Sequence, residues 1–379
     1  MKIAIVKETK TLEKRVAATP ETVKKFISLG ISVKVEKDAG IKSNILDSEY
    51  EKSGAKIISD PKELLINTDV VLKVNSISNN GTGSDNIELY KNNTTLIGFL
   101  KPLQDKENIK LIAQKGINAF AVELIPRISR AQSMDALSSQ SNLAGYKAVI
   151  NAVNILSKAT PMMMTAAGTI APAKILIIGA GVAGLQAIAT AKRLGAIVSA
   201  FDVRSATKEQ VESLGAKFLE VGDMSSNQRS HEDAGGYAKT MSKEYQVKQR
   251  EILHKTIKDQ NIVITTALIP GKEAPEIITS EMVNDMQQGS IIVDLAAEAG
   301  GNCKLTKLDK DEIVNGVTII GPSNLPSEVA QDASSLYAKN LFNFVSLMIK
   351  DGKLNLDFND DIIKMSCVSY NGKVYDNKA

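Results

Sequence analysis

Tryptophan is absent from this 379-residue sequence, cysteine and histidine occur twice each, and aromatic residues make up only 4%. Formal net charge is +3 and no basic block breaks the chain. Without a basic stripe or aromatic platforms, nucleic acid is excluded as a partner. Cys303 and Cys367 have neither metal-ligand spacing nor a disulfide framework around them. That pattern predicts a reduced, cytosolic protein with no metal site. No apolar run reaches the ~20 residues that span a bilayer. The nearest candidate, around 162–191, is broken by Pro172, Lys174 and repeated glycine. The chain opens on Lys2-Ile3-Ala4-Ile5-Val6 with no charged segment ahead of an apolar core. The reading is therefore of a soluble protein without a secretory leader.

What is present is ordinary for a globular chain, with 43% hydrophobic and 23% charged residues. The length predicts two domains of about 150 to 200 residues. The most informative stretch is Ile175–Arg204, ILIIGAGVAGLQAIATAKRLGAIVSAFDVR. Ile175–Ile178 is an apolar run suited to a strand buried on both faces of a parallel sheet. In Gly179-Ala180-Gly181-Val182-Ala183-Gly184, Gly179 allows the tight turn, Gly181 lets the backbone approach a pyrophosphate, and Gly184 lets helix and strand pack closely. The N-terminus of the following helix suits a phosphate. Asp202 ends the next strand, where a carboxylate can accept from an adenosine ribose, and it disfavours a 2′-phosphate. This context predicts NAD rather than NADP. Arg204 leaves several readings open: a cation for a 2′-phosphate, a solvated loop residue, or a lid over the adenine.

Alternating patterns predict two α/β halves. Strands are expected at Ile3–Val6, Ser32–Glu36, Ala55–Ile58, Asp69–Val74, Thr95–Phe99 and Asn118–Val122, with a helix over Thr19–Leu29. The second half adds Lys217–Val221, Ile262–Thr266, Ser290–Leu295 and Val317–Ile320. Segment 75–93 reads as a polar, mobile loop. Residues 130–158 and 327–350 read as two long helices joining the halves. The fold class is thus α/β: two Rossmann-like, doubly wound parallel-sheet domains, joined by two long helices and enclosing an interdomain cleft. The boundaries are 1–136 plus 327–379 for the first domain and 137–326 for the NAD(H)-binding domain. A polar insert at about 222–245 is longer than a usual α/β connection. Its Gly235-Gly236-Tyr237 suggests a lid over a nucleotide, against the plainer reading of a surface insertion.

Several segments together resemble the NAD(H)-binding domain of proton-translocating nicotinamide nucleotide transhydrogenases, in the form of a separate soluble alpha-1 subunit. They are Val6-Lys7-Glu8, the run from Lys14 to Pro20, Arg127–Gln140, the glycine motif with Asp202-Val203-Arg204, Gly235–Lys239, Thr265–Gly271 and Glu298–Cys303. The likeness covers nearly the whole chain. It implies that Arg127, Gln132, Asp135 and Ser138, with Ile128 and Ser129, surround the nicotinamide and its ribose. Gly179, Ala180, Gly181, Val182, Gly184, Asp202, Val203, Arg204, Ala267 and Leu268 would hold the rest of the coenzyme, and Gly236, Tyr237 and Gln249 the lid and the helix after it. Without the resemblance, 127–140 is a loop entering a helix, with solvated polar side chains.

The implied chemistry is direct hydride transfer from NADH on this chain to NADP on another subunit, with no side-chain acid or base in that step. His231, in the insert, and His254, on a polar helix, are accordingly read as solvent-exposed. The implied partners are a second copy, giving a homodimer, an NADP-binding beta subunit (domain III) and membrane-spanning alpha-2 and beta subunits (domain II). The chain would then lie on the cytoplasmic face of the bacterial membrane through those partners. Alanine dehydrogenase shares the architecture and is the rival. Arg15 and Lys73 stand where that family holds its substrate, whereas its catalytic His and Asp are replaced by Lys101 and Glu298. A non-catalytic NAD sensor is a third reading, opposed by the intact 127–138 run.

Overall fold

The computed structural model describes residues 1–221 and 243–375. The lid reading, with His231, Gly236 and Tyr237, lies outside the described residues. Two units result: Met1–Gln140 with Pro326–Ala379, and Ser141–Leu325.

The first unit carries an eight-stranded sheet ordered Lys373–Val374, Cys367–Tyr370, Asn118–Ala121, Thr95–Phe99, Val70–Asn75, Lys2–Ile5, Ser32–Glu36, Lys56–Ile58. Its six strands before residue 122 are parallel; Cys367–Tyr370 pairs antiparallel with Asn118–Ala121, and Lys373–Val374 antiparallel with Cys367–Tyr370. Strand residues alternate between two cores. Ile3, Ile5, Val70 and Leu72 face Phe26, Leu341 and Phe344. Ala4, Val6 and Val71 face Leu64, Ile109 and Ile112. A sheet with helices on both faces is the outcome that buried, all-apolar strands demand. The first helix, Pro20–Ser28, starts where expected: the Thr22 hydroxyl accepts from the Thr19 amide at 3.0 Å, Pro20 opens the helix, and Gly30 follows at φ +77°.

The second unit has a seven-stranded sheet ordered Lys217–Phe218, Ile197–Phe201, Lys174–Ile178, Ile262–Thr265, Ile291–Asp294, Val317–Ile320, Asp311–Val314. All but the last are parallel. Ile175 and Ile177 pack with Ala187, Ile188 and Ala191 of the Val182–Arg193 helix. Leu176 and Ile178 pack on the opposite face with Leu253 and Ile257.

Beyond the unexpected strands Asp311–Val314, Cys367–Tyr370 and Lys373–Val374, several local features differ from the sequence reading. The segment 130–158 is not one helix. A 3-10 turn, Ser129–Met134, precedes the helix Ala136–Ile155. The break is at Asp135, whose carboxylate accepts from the Ser138 amide (2.9 Å) and hydroxyl (2.5 Å), so it caps the helix from outside. Likewise 327–350 divides into a 3-10 turn, Leu325–Val329, and the helix Ala330–Ser346. Segment 75–93 is solvated only in part: Ser78–Asn80, Thr82 and Gly83 are exposed, whereas Ser84, Asp85, Ile87 and Tyr90 are buried. A small hairpin, Met163–Thr165 with Gly168–Ile170, has no counterpart among the expected strands.

Candidate functional site

In the second sheet the chain winds outward from Lys174–Ile178 to one side and then crosses to Ile262–Thr265 on the other. Between the carboxyl ends of those two strands lies the switch point at which open α/β sheets bind ligands. The glycine turn leaves one strand there and Thr266-Ala267-Leu268 leaves the other. The Thr266 hydroxyl donates to Gly179 O at 3.0 Å and ties the two together.

The three glycines have separable causes. Gly179 sits at φ +97°, and a Cβ there would come within 2.5 Å of Thr266 Oγ1. A Cβ on Gly184 would lie 1.8 Å from Gly179 O, so helix and turn touch only because it is missing. Gly181 has an ordinary φ of −77°. The nearest atom its Cβ would meet is Arg204 Nη2, at 4.0 Å. Among the described residues nothing in the chain's own packing demands glycine at that position, and the space over it is open. A dinucleotide pyrophosphate fits it, since Gly181 caps the 12-residue helix Val182–Arg193, whose first N–H groups point that way.

Asp202 is buried at the end of its strand, and its carboxylate is already engaged. Oδ2 accepts from the Ala180 amide (2.7 Å) and Arg204 Nη2 (2.9 Å); Oδ1 accepts from the Arg204 amide (2.8 Å) and Nε (2.9 Å). All four of these contacts come from the chain itself, two of them from the Arg204 guanidinium. Val203 packs partly buried against the core, Val182 and Leu268 are exposed, and Gln249 is half-buried on the Lys243–Ile257 helix.

In the first unit, Arg127, Ile128, Ser129, Gln132, Asp135 and Ser138 line one open pocket of about 320 Å³. The 3-10 turn that carries Gln132 is anchored at both ends. Arg130 forms a two-pronged ion pair with Asp360 (2.7 and 2.8 Å). Asn340 and Asn343 donate to Ser133 O. The pocket wall is thus irregular backbone, but it is pinned.

The first unit has its own switch point, between Lys2–Ile5 and Val70–Asn75, and it is filled with the chain's own charges. Lys73 is wholly buried and pairs with Asp85 and with Glu8 (3.2 Å). Burial acts to lower its pKa, and the two carboxylates hold it above the ordinary lysine value. Glu8 also accepts from the Val74 amide at 2.8 Å. Arg15 makes a two-pronged contact with Glu13 (2.7 and 2.8 Å) and donates to Gln140 at 2.9 Å. Burial would raise Glu13, but Arg15 outweighs it and holds the carboxyl down at about 2. Both cations are paired with carboxylates inside the unit.

Residues 4–144 match the model of the alanine dehydrogenase/PNT N-terminal domain, and residues 148–377 that of the C-terminal domain. The first part of the NAD(P) transhydrogenase alpha subunit of Rhodospirillum rubrum is 51% identical over 376 residues, covering 99% of this chain and 97% of that protein. The chain belongs to the NAD(P) transhydrogenase alpha-subunit family. The crystal structure of a transhydrogenase from Sinorhizobium meliloti superposes with a TM-score of 0.89 at 47% identity, covering 99% and 100% of the two chains. An alanine dehydrogenase from Methanococcus maripaludis is 26% identical over 99% of this chain and 94% of its own length.

Three features of this transhydrogenase-family chain have no clear signal in its sequence. Asp85 sits in a polar run with no sign of burial. Glu123 has one oxygen held by the Leu100 and Lys101 amides and the other buried with no partner among the described residues; burial raises its pKa to about 7. Asn302 lies in the Glu298–Cys303 motif, but sequence alone assigns it no partner. His254 pairs at 2.8 Å with Asp285, on a part-exposed surface.

Proposed function

We propose that this chain is the NADH-holding subunit of a proton-translocating transhydrogenase. NADH held here supplies a hydride that passes directly to NADP⁺ bound on a separate subunit, with transfer coupled to proton movement through a membrane-spanning partner. The relationship to the Rhodospirillum rubrum alpha-subunit protein over nearly the full length supports the reading, and the open space over Gly181 is the observation that carries it to a ligand. In this proposal the Gly179–Gly184 turn and its helix N-terminus take the pyrophosphate. Asp202 orients the adenosine ribose, Arg204 neutralises charge beside it, and Ala267 and Leu268 flank the nucleotide. Arg127, Ile128, Ser129, Gln132, Asp135 and Ser138 take the nicotinamide and its ribose. Their work is to orient and to exclude water; the Ser138–Asp135 hydrogen bond fixes both side chains for it.

The family likeness extends to alanine dehydrogenase, but amine oxidation needs a proton acceptor and a free cation for the substrate carboxylate. Arg15 and Lys73 already hold Glu13, Glu8 and Asp85, which weighs against that chemistry.

Association with a second copy also belongs to this proposal. The Met163–Ile170 hairpin leaves Met162 (59%), Met163 (45%), Met164 (80%) and Ile170 (40%) exposed, and a lone two-stranded hairpin is marginal in water without a surface to cover it. Among the described residues no helix is long and apolar enough to cross a membrane, so proton passage falls to partners, and we place the chain beside them on the cytoplasmic face.

The test is a titration of the chain with NADH and NADPH by nucleotide fluorescence, followed by reduction of an NAD analogue by NADPH once the NADP-binding subunit is added. Selective NADH binding and partner-dependent transfer are expected. Preference for NADPH, or turnover with an amino acid alone, would overturn the proposal.

A further inference from the structure

The chain between Thr265 and Ser280 contains no helix or strand, yet Ala267 and Leu268 at its start are the residues assigned to the coenzyme's flank. Connections this long are rarely ordered without a cause. Here the cause is Asn302, which is wholly buried. Its Oδ1 accepts from the Ala267 amide at 3.0 Å, and its Nδ2 donates to Ala267 O at 2.9 Å and to Pro275 O at 2.8 Å. The side-chain amide thus engages both backbone groups of Ala267, as a neighbouring strand would. Its backbone carbonyl adds bonds from the Ile277 and Ile278 amides (2.8 and 2.9 Å). One residue holds the loop at its beginning and at its end.

Asn302 is itself held in place. Gly300 and Gly301, both left-handed at φ +99° and +88°, turn the chain into it. A Cβ on Gly301 would lie 2.8 Å from Asp294 Oδ2. Asp294 is wholly buried, and its four acceptor contacts are to Thr265 Oγ1, the Ala296 amide, the Cys303 amide and Thr306 Oγ1. The Glu298–Cys303 motif contributes no side chain to the proposed coenzyme contacts, which leaves its function to be found in this brace.

We infer that Asn302 is a positioning residue for coenzyme binding, setting Ala267 and Leu268 against the nucleotide through their backbone. The inference rests on the NADH reading above. Removing the side-chain amide releases Ala267 and Pro275 O, while the backbone bonds from Ile277 and Ile278 stay, so affinity falls while the sheet and the glycine turn remain.

The experiment compares wild type with Asn302→Ala, Asn302→Leu and Leu268→Ala. In Asn302 variants of wild-type circular dichroism, NADH affinity by fluorescence should fall about ten- to a hundred-fold, the scale of losing a buried, doubly bonded amide. With the NADP-binding subunit, the KM for NADH should rise by the same factor and kcat stay within about two-fold. Leu268→Ala should shift KM in the same direction. An unchanged KM, with activity lost only in proportion to unfolded protein, would overturn the inference. Hydrogen exchange on the wild type tests it without any variant: the Ala267 amide should be protected like a strand amide, and rapid exchange would overturn it. Absence of NADH binding to wild type would instead remove the coenzyme reading while leaving the brace itself supported by that protection.

Discussion

Glu123 is the residue whose environment and chemistry are most at odds. Its Oε1 takes the Leu100 and Lys101 amides (2.9 and 2.5 Å), which hold Lys101 in the left-handed region at φ +53°, while Oε2 has no partner among the described residues. Burial raises its pKa from the ordinary 4.5 to about 7. The folded state therefore keeps a proton that the unfolded state releases, so this contribution to stability is complete below pH 4.5 and is lost as pH rises through 7. Over that window the loss should be on the order of 2–3 kcal/mol. Glu123→Gln keeps the shape and cannot ionise. Urea unfolding at intervals between about pH 5 and 8 should show wild type weakening relative to the variant as pH rises. Parallel curves for the two proteins would count against a protonated Glu123. Glu13, held at about 2, acts with the opposite sign and only at much lower pH, so it does not confuse the comparison.

The glycine turn and its helix show what a motif leaves legible at the scale of an element. Spacing alone predicts strand, turn, helix, strand and acid, and all five stand where expected, because each follows from a local steric rule. Spacing does not say which glycine serves the fold and which serves a ligand; that takes the neighbours in space. Gly184→Ala drives a methyl group onto Gly179 O and should cost at least about 2 kcal/mol of stability. Gly181→Ala meets open space, so its stability should stay within about 1 kcal/mol, yet NADH should bind about ten-fold more weakly or worse. Thermal melts and fluorescence titrations of the two variants make the comparison. If Gly181→Ala bound NADH normally, the space would not be the coenzyme's. Sequence and structure part company where polar groups are used internally. The 75–93 run has the composition of a solvated loop, but Asp85 is drawn inside by the charge on Lys73. The 130–158 helix breaks because Asp135 can satisfy the Ser138 amide from outside it.

For the whole molecule, alternation of strand and helix is enough to predict two doubly wound sheets, since strands buried on both faces leave a continuous apolar signal. The edge strands Lys56–Ile58 and Lys217–Phe218 fall inside expected strands, whereas Asp311–Val314, Cys367–Tyr370, Lys373–Val374 and the exposed Met163–Ile170 hairpin have no counterpart in the sequence pattern: they are short and shaped by what lies beside them. The hairpin's exposed methionines form an adaptable apolar surface, and its edges present unpaired backbone groups of the kind that other chains complete. If a second copy completes them, wild type should sediment as a dimer. Met162→Glu combined with Met164→Glu should place charges in that contact and shift sedimentation toward the monomer. Circular dichroism should not change, because neither side chain belongs to a core. Amides in 162–170 should then exchange faster in the variant than in wild type, since the arm has lost the surface that orders it. A variant that stays dimeric, with the arm equally protected, would move the interface elsewhere on the chain.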